Sequence, residues 1–297
     1  MPFHSPRQIA VLVCVVAGLS ACATVSPSRE QELFRGVTYR ETWTPGDHAA
    51  RTHVVRLQLH RSGLRFAVTP ADNSRGMEYT ARLTSAYMHQ RHAQIGFNAS
   101  YFLPFEGGSR GADDFYPHVG DPVNASGAVV AAGAVVSPVE TNLDERVDAI
   151  LCFDAARAVI ADGQVCPTGF GEGVAAGPRL LTGGQIVPST QTYALTPQPR
   201  TAFALSRDGR TAWIVTVDGR QPDSVGADLP DLAAFLRDLG ASEAINLDGG
   251  GSSTLAVEGS DGAPVVLNRT IHTGVIGRER PVANHVLIFA SPAKRDR

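Results

Sequence analysis

The chain has 297 residues, 43% hydrophobic and 19% charged, with 26 basic against 29 acidic residues. That composition excludes a disordered, collagenous or small disulfide-scaffold protein and leaves room for one large domain with a sizeable core. A formal charge of −3, with no basic run longer than a few residues, argues against a nucleic-acid partner.

Arg7 opens a short positive start, and residues 9–19 form an apolar run of signal-peptide length, below the about 20 residues that span a bilayer. The run ends in Leu19-Ser20-Ala21-Cys22, which resembles the lipobox of bacterial lipoproteins, where the cysteine is lipidated and becomes the mature N-terminus. The expected organisation is a signal peptide over 1–22, a polar tether over 23–36 and one domain over 37–297. Cys22 would be the lipid anchor of a protein of the bacterial cell envelope, facing the periplasm or the outside. With Cys14 and Cys22 assigned to the leader, Cys152 and Cys166 remain. In an exported chain they are a candidate disulfide. No Cys/His spacing suggests a metal, and no cofactor fingerprint occurs.

Val55, Leu57 and Leu59 alternate with polar residues as in a half-buried strand, and Arg61-Ser62-Gly63 predicts a hairpin into a strand over 64–69. A helix is expected over 81–92, with His89 and His92 on its solvated face, and a short strand over 94–97. Residues 103–127 read as a long polar loop. Asp113 and Asp114 within it could hold a cation, though a mobile surface insertion is the plainer reading. Asp208-Gly209 predicts a hairpin joining strands over 201–205 and 211–217, because glycine accepts the positive φ of such a turn. Leu229, Leu232, Phe235, Leu236 and Leu239 fall on one helical face, with Asp228 as cap, Pro230 in the first turn and Gly240 at the stop. Strands follow over 243–247, 254–258 and 284–290. The class expected is α+β: a mixed sheet with hairpins and packed helices in a single large domain.

Two of these helix-to-strand units end on a polar residue, Asn98 and Asp248, where a buried strand emerges and a site is commonly built. After the second comes Asn246-Leu247-Asp248-Gly249-Gly250-Gly251-Ser252-Ser253-Thr254. Three glycines let backbone approach a ligand closely and offer N–H groups to an anion. The block is neither a P-loop, lacking the lysine and the following helix, nor a G-x-S-x-G elbow.

At this block the sequence resembles the phosphodiester glycosidase family. Further matches, in order, are Asn98-Ala99-Ser100-Tyr101-Phe102, Ala176-Gly177-Pro178, Val217-Asp218-Gly219-Arg220 and Glu279-Arg280-Pro281-Val282-Ala283-Asn284. The first departs from the commoner Asn-Gly-Gly-Tyr-Phe form at Ala99 and Ser100. The resemblance implies hydrolysis of a sugar-1-phosphodiester, such as an N-acetylglucosamine-1-phosphodiester, at the glycosidic C1–O bond. Asp248 would be the catalytic carboxylate, as base or nucleophile, and Glu279 or Asp218 the second. Arg200, Arg220 and Arg280 would hold the phosphate, with the N–H groups of Gly249, Gly250 and Gly251 and the hydroxyls of Ser252 and Ser253. Asn98, Asn246 and Asn284 would read sugar hydroxyls. Two rivals stay open at this stage. One is a non-catalytic carbohydrate-phosphate binding lipoprotein; the other is a hydrolase that uses Ser252 or Ser253 as nucleophile.

Overall fold

Antiparallel pairing of short apolar strands builds most of the molecule. The computed structural model describes residue 1 and residues 29–61, 63–142, 145–155 and 157–293. The expected leader beyond residue 1, Cys22 included, and the first part of the expected tether lie outside the described residues. Eight strands form the largest sheet, in the spatial order Gln31–Phe34, Val37–Thr44, Ala50–Gln58, Thr211–Val217, Arg200–Ser206, Ala241–Asn246, Arg179–Thr182 and Gln185–Ile186. A five-stranded sheet runs Pro264–Val266, Leu255–Glu258, Ile95–Asn98, His285–Phe289, Arg65–Val68. A second five-stranded sheet runs Ala134–Ser137, Val129–Ala131, Glu172–Ala176, Ala149–Asp154, Arg157–Asp162.

The period-two alternation of each strand decides what it faces. Phe203, Leu205 and Ile214 point from the large sheet into one core shared with Ile95, Phe97, Leu151, Phe153, Val286 and Ile288 of the other two sheets. One phenylalanine from each sheet meets there: Phe66 stacks on Phe153 at 4.3 Å between ring centroids, and Phe153 meets Phe203 edge-on at 5.5 Å. The opposite residues of the same strands, Ala202, Ala204 and Val215, are covered by a helix. Three α-helices occur among the described residues: α1 (Thr84–Gln90), α2 (Thr192–Leu195) and α3 (Leu229–Asp238). α3 lays Leu229, Leu232, Ala233 and Leu236 on the outer face of the large sheet. Its start is capped by the Asp228 carboxylate, which accepts from the Asp231 N–H at 2.8 Å. α1 packs Tyr87 and Met88 against Ala256 and Leu287 on the outer face of the first five-stranded sheet. None of the helices among the described residues is long and apolar enough to cross a membrane.

The protein is therefore a mostly-β domain with a few covering helices, and the α+β expectation with packed helices overstates the helical part. The strands between residues 122 and 182 escape a pattern search for a physical reason. They are short, and several are buried on both faces, so no alternation marks them. The hairpin expected at residues 61–63 is also absent. Ala50–Gln58 pairs with Val37–Thr44 and Thr211–Val217, whereas Arg65–Val68 crosses to the other sheet and pairs with His285–Phe289. The tether ends earlier than expected. Gln31–Phe34 already pairs with Val37–Thr44, and Phe34 is buried in the main core. The hairpin at Asp208-Gly209 forms in the expected register, with Leu205 opposite Ala212.

Cys152 and Cys166 are joined by a disulfide, with their Cα atoms 5.8 Å apart. Gly173 leaves the space: a β-carbon there would lie 3.4 Å from the Cys152 sulfur and closer still to Cys166. Closing a loop of this size constrains the unfolded chain. Denaturant titration with and without reductant should show a loss of about 3 kcal/mol on reduction, and both thiols should escape alkylation until reductant is added.

Candidate active site

Two strand exits, Ile95–Asn98 and Ala241–Asn246, deliver their polar ends to one point. Asn98 Nδ2 donates to the Asp248 carbonyl at 2.6 Å, and the Asp248 N–H donates to the Ala99 carbonyl at 3.0 Å. The chain then turns through Gly249 and a single 3-10 turn, Gly250–Ser252. Gly250 has φ +59°, and its N–H donates to the Pro199 carbonyl at 2.8 Å. At Gly251 the reason for glycine is proximity, since a β-carbon there would lie 2.6 Å from Arg280 Nη2.

The carboxylate of Asp248 is buried, the residue being 9% exposed, and its pKa is pushed up to about 6. Burial is the main cause; the Ser252 hydroxyl, the charge of Arg280, the Gly249 N–H and the charge of Arg220 pull the other way. Asp248 lines a cavity of about 540 Å³ together with Arg200, Arg220, Arg280, Tyr101 and Tyr193. None of Arg200, Arg220 and Arg280 forms an ion pair with a carboxylate among the described residues. Arg146 lines the cavity as well, and no other Asp or Glu does among the described residues, so four arginines face one carboxylate.

Each arginine is held differently. Arg280 donates from Nε to His272 Nδ1 at 3.3 Å and from Nη1 to the Ser252 hydroxyl at 3.4 Å. Its guanidinium carbon sits 4.7 Å from the centroid of the Phe115 ring. His272 can accept because burial and the charges of Arg280 and Arg278 depress its pKa to about 4, leaving the imidazole neutral. Arg220 stands on left-handed backbone at φ 58° and donates from Nε to Gln198 Oε1 at 2.6 Å. Arg200 donates to the carbonyls of Ala227, Tyr193 and Thr196, tying the wall around α2 to the cavity.

Several sequence-predicted site residues are placed elsewhere or already committed. Glu279 accepts from the Ser85 N–H at 3.1 Å and from the Ser85 hydroxyl, so it caps α1 and does not line the cavity. Asp218 is fully buried below the site, accepting from the Arg269 N–H at 2.8 Å and pairing with His53 Nε2 at 3.3 Å. Neither stands as a second carboxylate. Asn98 also accepts from Thr201 Oγ1 and the Thr254 N–H, and Asn284 accepts from the Ser100 N–H and donates to the Ser100 hydroxyl. Both are buried braces rather than sugar readers. Asn246 is likewise buried, its amide donating to Tyr101 Oη and to the Gly177 carbonyl.

Of the three loop N–H groups expected to face an anion, that of Gly250 is taken by Pro199. Ser252 and Ser253 are buried and do not line the cavity, which disfavours a serine nucleophile. The Ala99 and Ser100 departure is absorbed in the interior, where both side chains are buried. Within residues 103–127, Asp114 binds the Gly108 and Ser109 N–H groups and the Ser109 hydroxyl, closing its own turn. That loop also supplies Phe105 and Phe115, so part of the expected surface insertion is wall. Tyr101, Tyr193, Gln198, Phe115 and His272 were not foreseen as site residues. Tyr101 alone carried a signal, as part of the Asn98 motif.

Residues 91–289 match the phosphodiester glycosidase family. No curated protein matches the chain by sequence. Among solved structures, the fold resembles a hypothetical protein from Synechocystis at TM-score 0.62 and 16% identity, over 91% of this chain and 64% of that one. It also resembles the catalytic domain of zebrafish N-acetylglucosamine-1-phosphodiester alpha-N-acetylglucosaminidase, auto-inhibited by its pro-peptide, at TM-score 0.58 and 17% identity, over 92% and 85%. A putative exported protein from Burkholderia pseudomallei gives TM-score 0.58 and 17% identity, over 83% and 75%.

The raised pKa of Asp248 has a sign for stability. Between the ordinary value of 3.8 and about 6 the folded state holds the proton more tightly than the unfolded chain, so stability falls as pH rises through that window. Above it the buried charge weighs on the fold in full. Asp248→Asn should therefore melt higher than the wild type at pH 7.5, with the gap closing below about pH 4, as read by calorimetry across pH.

Proposed function

Because the chain belongs to the phosphodiester glycosidase family, we propose that it hydrolyses a sugar-1-phosphodiester at the C1–O bond, releasing free sugar and a phosphomonoester. The observation that carries this reading is one buried carboxylate in an arginine-lined cavity, where Arg200, Arg220 and Arg280 pair with no carboxylate among the described residues. A phosphodiester brings one negative charge into that excess of cations. As C1–O breaks, the departing phosphate gains a second charge, so Arg220 and Arg280 bind it more strongly in the transition state than in the ground state.

The same chemistry accounts for the single carboxylate in the cavity. A sugar alkoxide leaving group needs a proton from a second carboxyl, whereas a phosphate leaves without one. Asp248 acts ionised, either adding to C1 to form a glycosyl ester that water then cleaves to free sugar, or taking a proton from the water whose oxygen bonds to C1. The electron pair of the broken bond stays with the phosphate. Tyr101, anchored by Asn246 and the Gly177 carbonyl, and Tyr193 offer faces to a sugar ring. The sugar proposed is N-acetylglucosamine, supported by the name of the zebrafish enzyme of similar fold. The setting proposed is the cell envelope, supported by the leader ending at Cys22.

Sugar release from an N-acetylglucosamine-1-phosphodiester tests the reaction. Asp248→Asn should lower kcat by about 10²–10⁴-fold, and wild-type kcat/KM should climb with pH through about 6 as Asp248 ionises. A rate that instead falls above that pH would reverse the role of Asp248. Cys22→Ala should move the full chain from the membrane pellet to the soluble fraction.

A further inference from the structure

A second cavity, of about 530 Å³, adjoins the first. Phe105, Arg220 and Arg280 line both. Asp248 lines only the first, and Arg110, Phe115 and His272 only the second. With C1 held at Asp248 and the phosphate at the two shared arginines, the other arm of the diester has the second cavity before it.

The lining of that cavity has a definite charge. Among the described residues it is lined by three arginines, one neutral histidine and no Asp or Glu. Arg110 forms no ion pair among the described residues. Its position is nonetheless constrained. Its stem lies over Gly274, where a β-carbon would come within 2.9 Å of Arg110 Cγ. The next residue, Gly111, donates its N–H to the Thr273 carbonyl at 2.6 Å, and the Ala112 carbonyl accepts from Arg278 Nη1 at 2.9 Å. The turn carrying Arg110 is thus fastened to the segment that carries His272. An exposed cation whose stem and backbone are held at the cavity wall beside the phosphate-holding pair, with no carboxylate partner among the described residues, suits a second anion.

We propose that the second cavity receives the aglycone and that Arg110 makes it select an aglycone bearing a second phosphate over a neutral one. This assignment rests on the glycosidase reading above. The exposed ring of Phe105, 58% accessible, offers the aglycone an apolar face between the two anions.

The test uses the released half of the substrate, which needs no knowledge of the sugar. Calorimetric titration of the wild type with glycerol 1-phosphate and with glycerol 1,3-bisphosphate should show the bisphosphate binding about tenfold tighter, the worth of one charge-assisted hydrogen-bonded pair. Arg110→Ala should bring the two ligands within about twofold of each other, and Arg110→Lys should keep part of the preference as a point charge. Arg237→Ala, on the distant helix α3, should leave the preference intact. Equal affinities in the wild type, or a preference that survives Arg110→Ala, would overturn the assignment. Turnover of the two corresponding N-acetylglucosamine-1-phosphodiesters separates the two readings. Binding preference without turnover of either would remove the glycosidase and keep the subsite. Turnover of both with equal kcat/KM and equal affinity would keep the glycosidase and remove the subsite.

Discussion

The amide of Asn98 is the joint on which the site depends. Its nitrogen holds the Asp248 carbonyl, and its oxygen accepts from Thr201 Oγ1 and the Thr254 N–H. One fully buried side chain thereby ties the exit of the five-stranded sheet to the eight-stranded sheet and to both ends of the glycine loop. Such a group is costly to leave unsatisfied in the interior, so its partners are held in one geometry. Asn284 does the same for Ser100, and Asn246 for Tyr101 and Gly177. Three asparagines lie beneath the cavity, and their work is to aim the groups above them.

Above that base, electrostatics and packing oppose each other. Burial favours Asp248 neutral and the proposed chemistry needs it ionised, and the pKa near 6 lies between the two demands. The arginines that favour the charged form, Arg220 at the cavity mouth and the half-buried Arg280, have their own basicity lowered by partial desolvation. Arg280 tolerates this because its donors find neutral acceptors, His272 and Ser252, while Phe115 lies against its face. Pairing it with a carboxylate would satisfy it as well, but would cancel the charge that an anionic ligand needs. A functional site that holds charges in this way gives up some stability.

The carboxylates that left the expected site show the same economy of roles. Glu279 stands beside Arg280 in sequence, yet its side chain turns to the N-terminus of α1, where the free N–H of Ser85 and the helix dipole favour an anion. Asp218 lies two residues before Arg220, yet it points inward and fixes the Arg269 N–H. Each shapes the chain that carries an arginine of the cavity. Adjacency in a motif therefore marked the right loops and not which side chain of each loop reaches the ligand.

By itself the sequence determined the elements whose pattern is local: α3 with its Asp228 cap, the Asp208-Gly209 hairpin, the strands leading to Asn98 and Asp248, and the glycine loop that follows. It also pointed to the family, because five motifs in order carry more information than any one of them. Tertiary structure alone decided the rest. Whether Arg65–Val68 folds back on Ala50–Gln58 or crosses to another sheet depends on pairing energies spread over distant strands. Ala- and Val-rich strands buried on both faces show no period to read. Whether Asn98, Asn284 or Glu279 faces a ligand or a neighbour depends on partners 150, 184 and 194 residues away. Linear order does not encode that choice; the closing of the sheets around one core does.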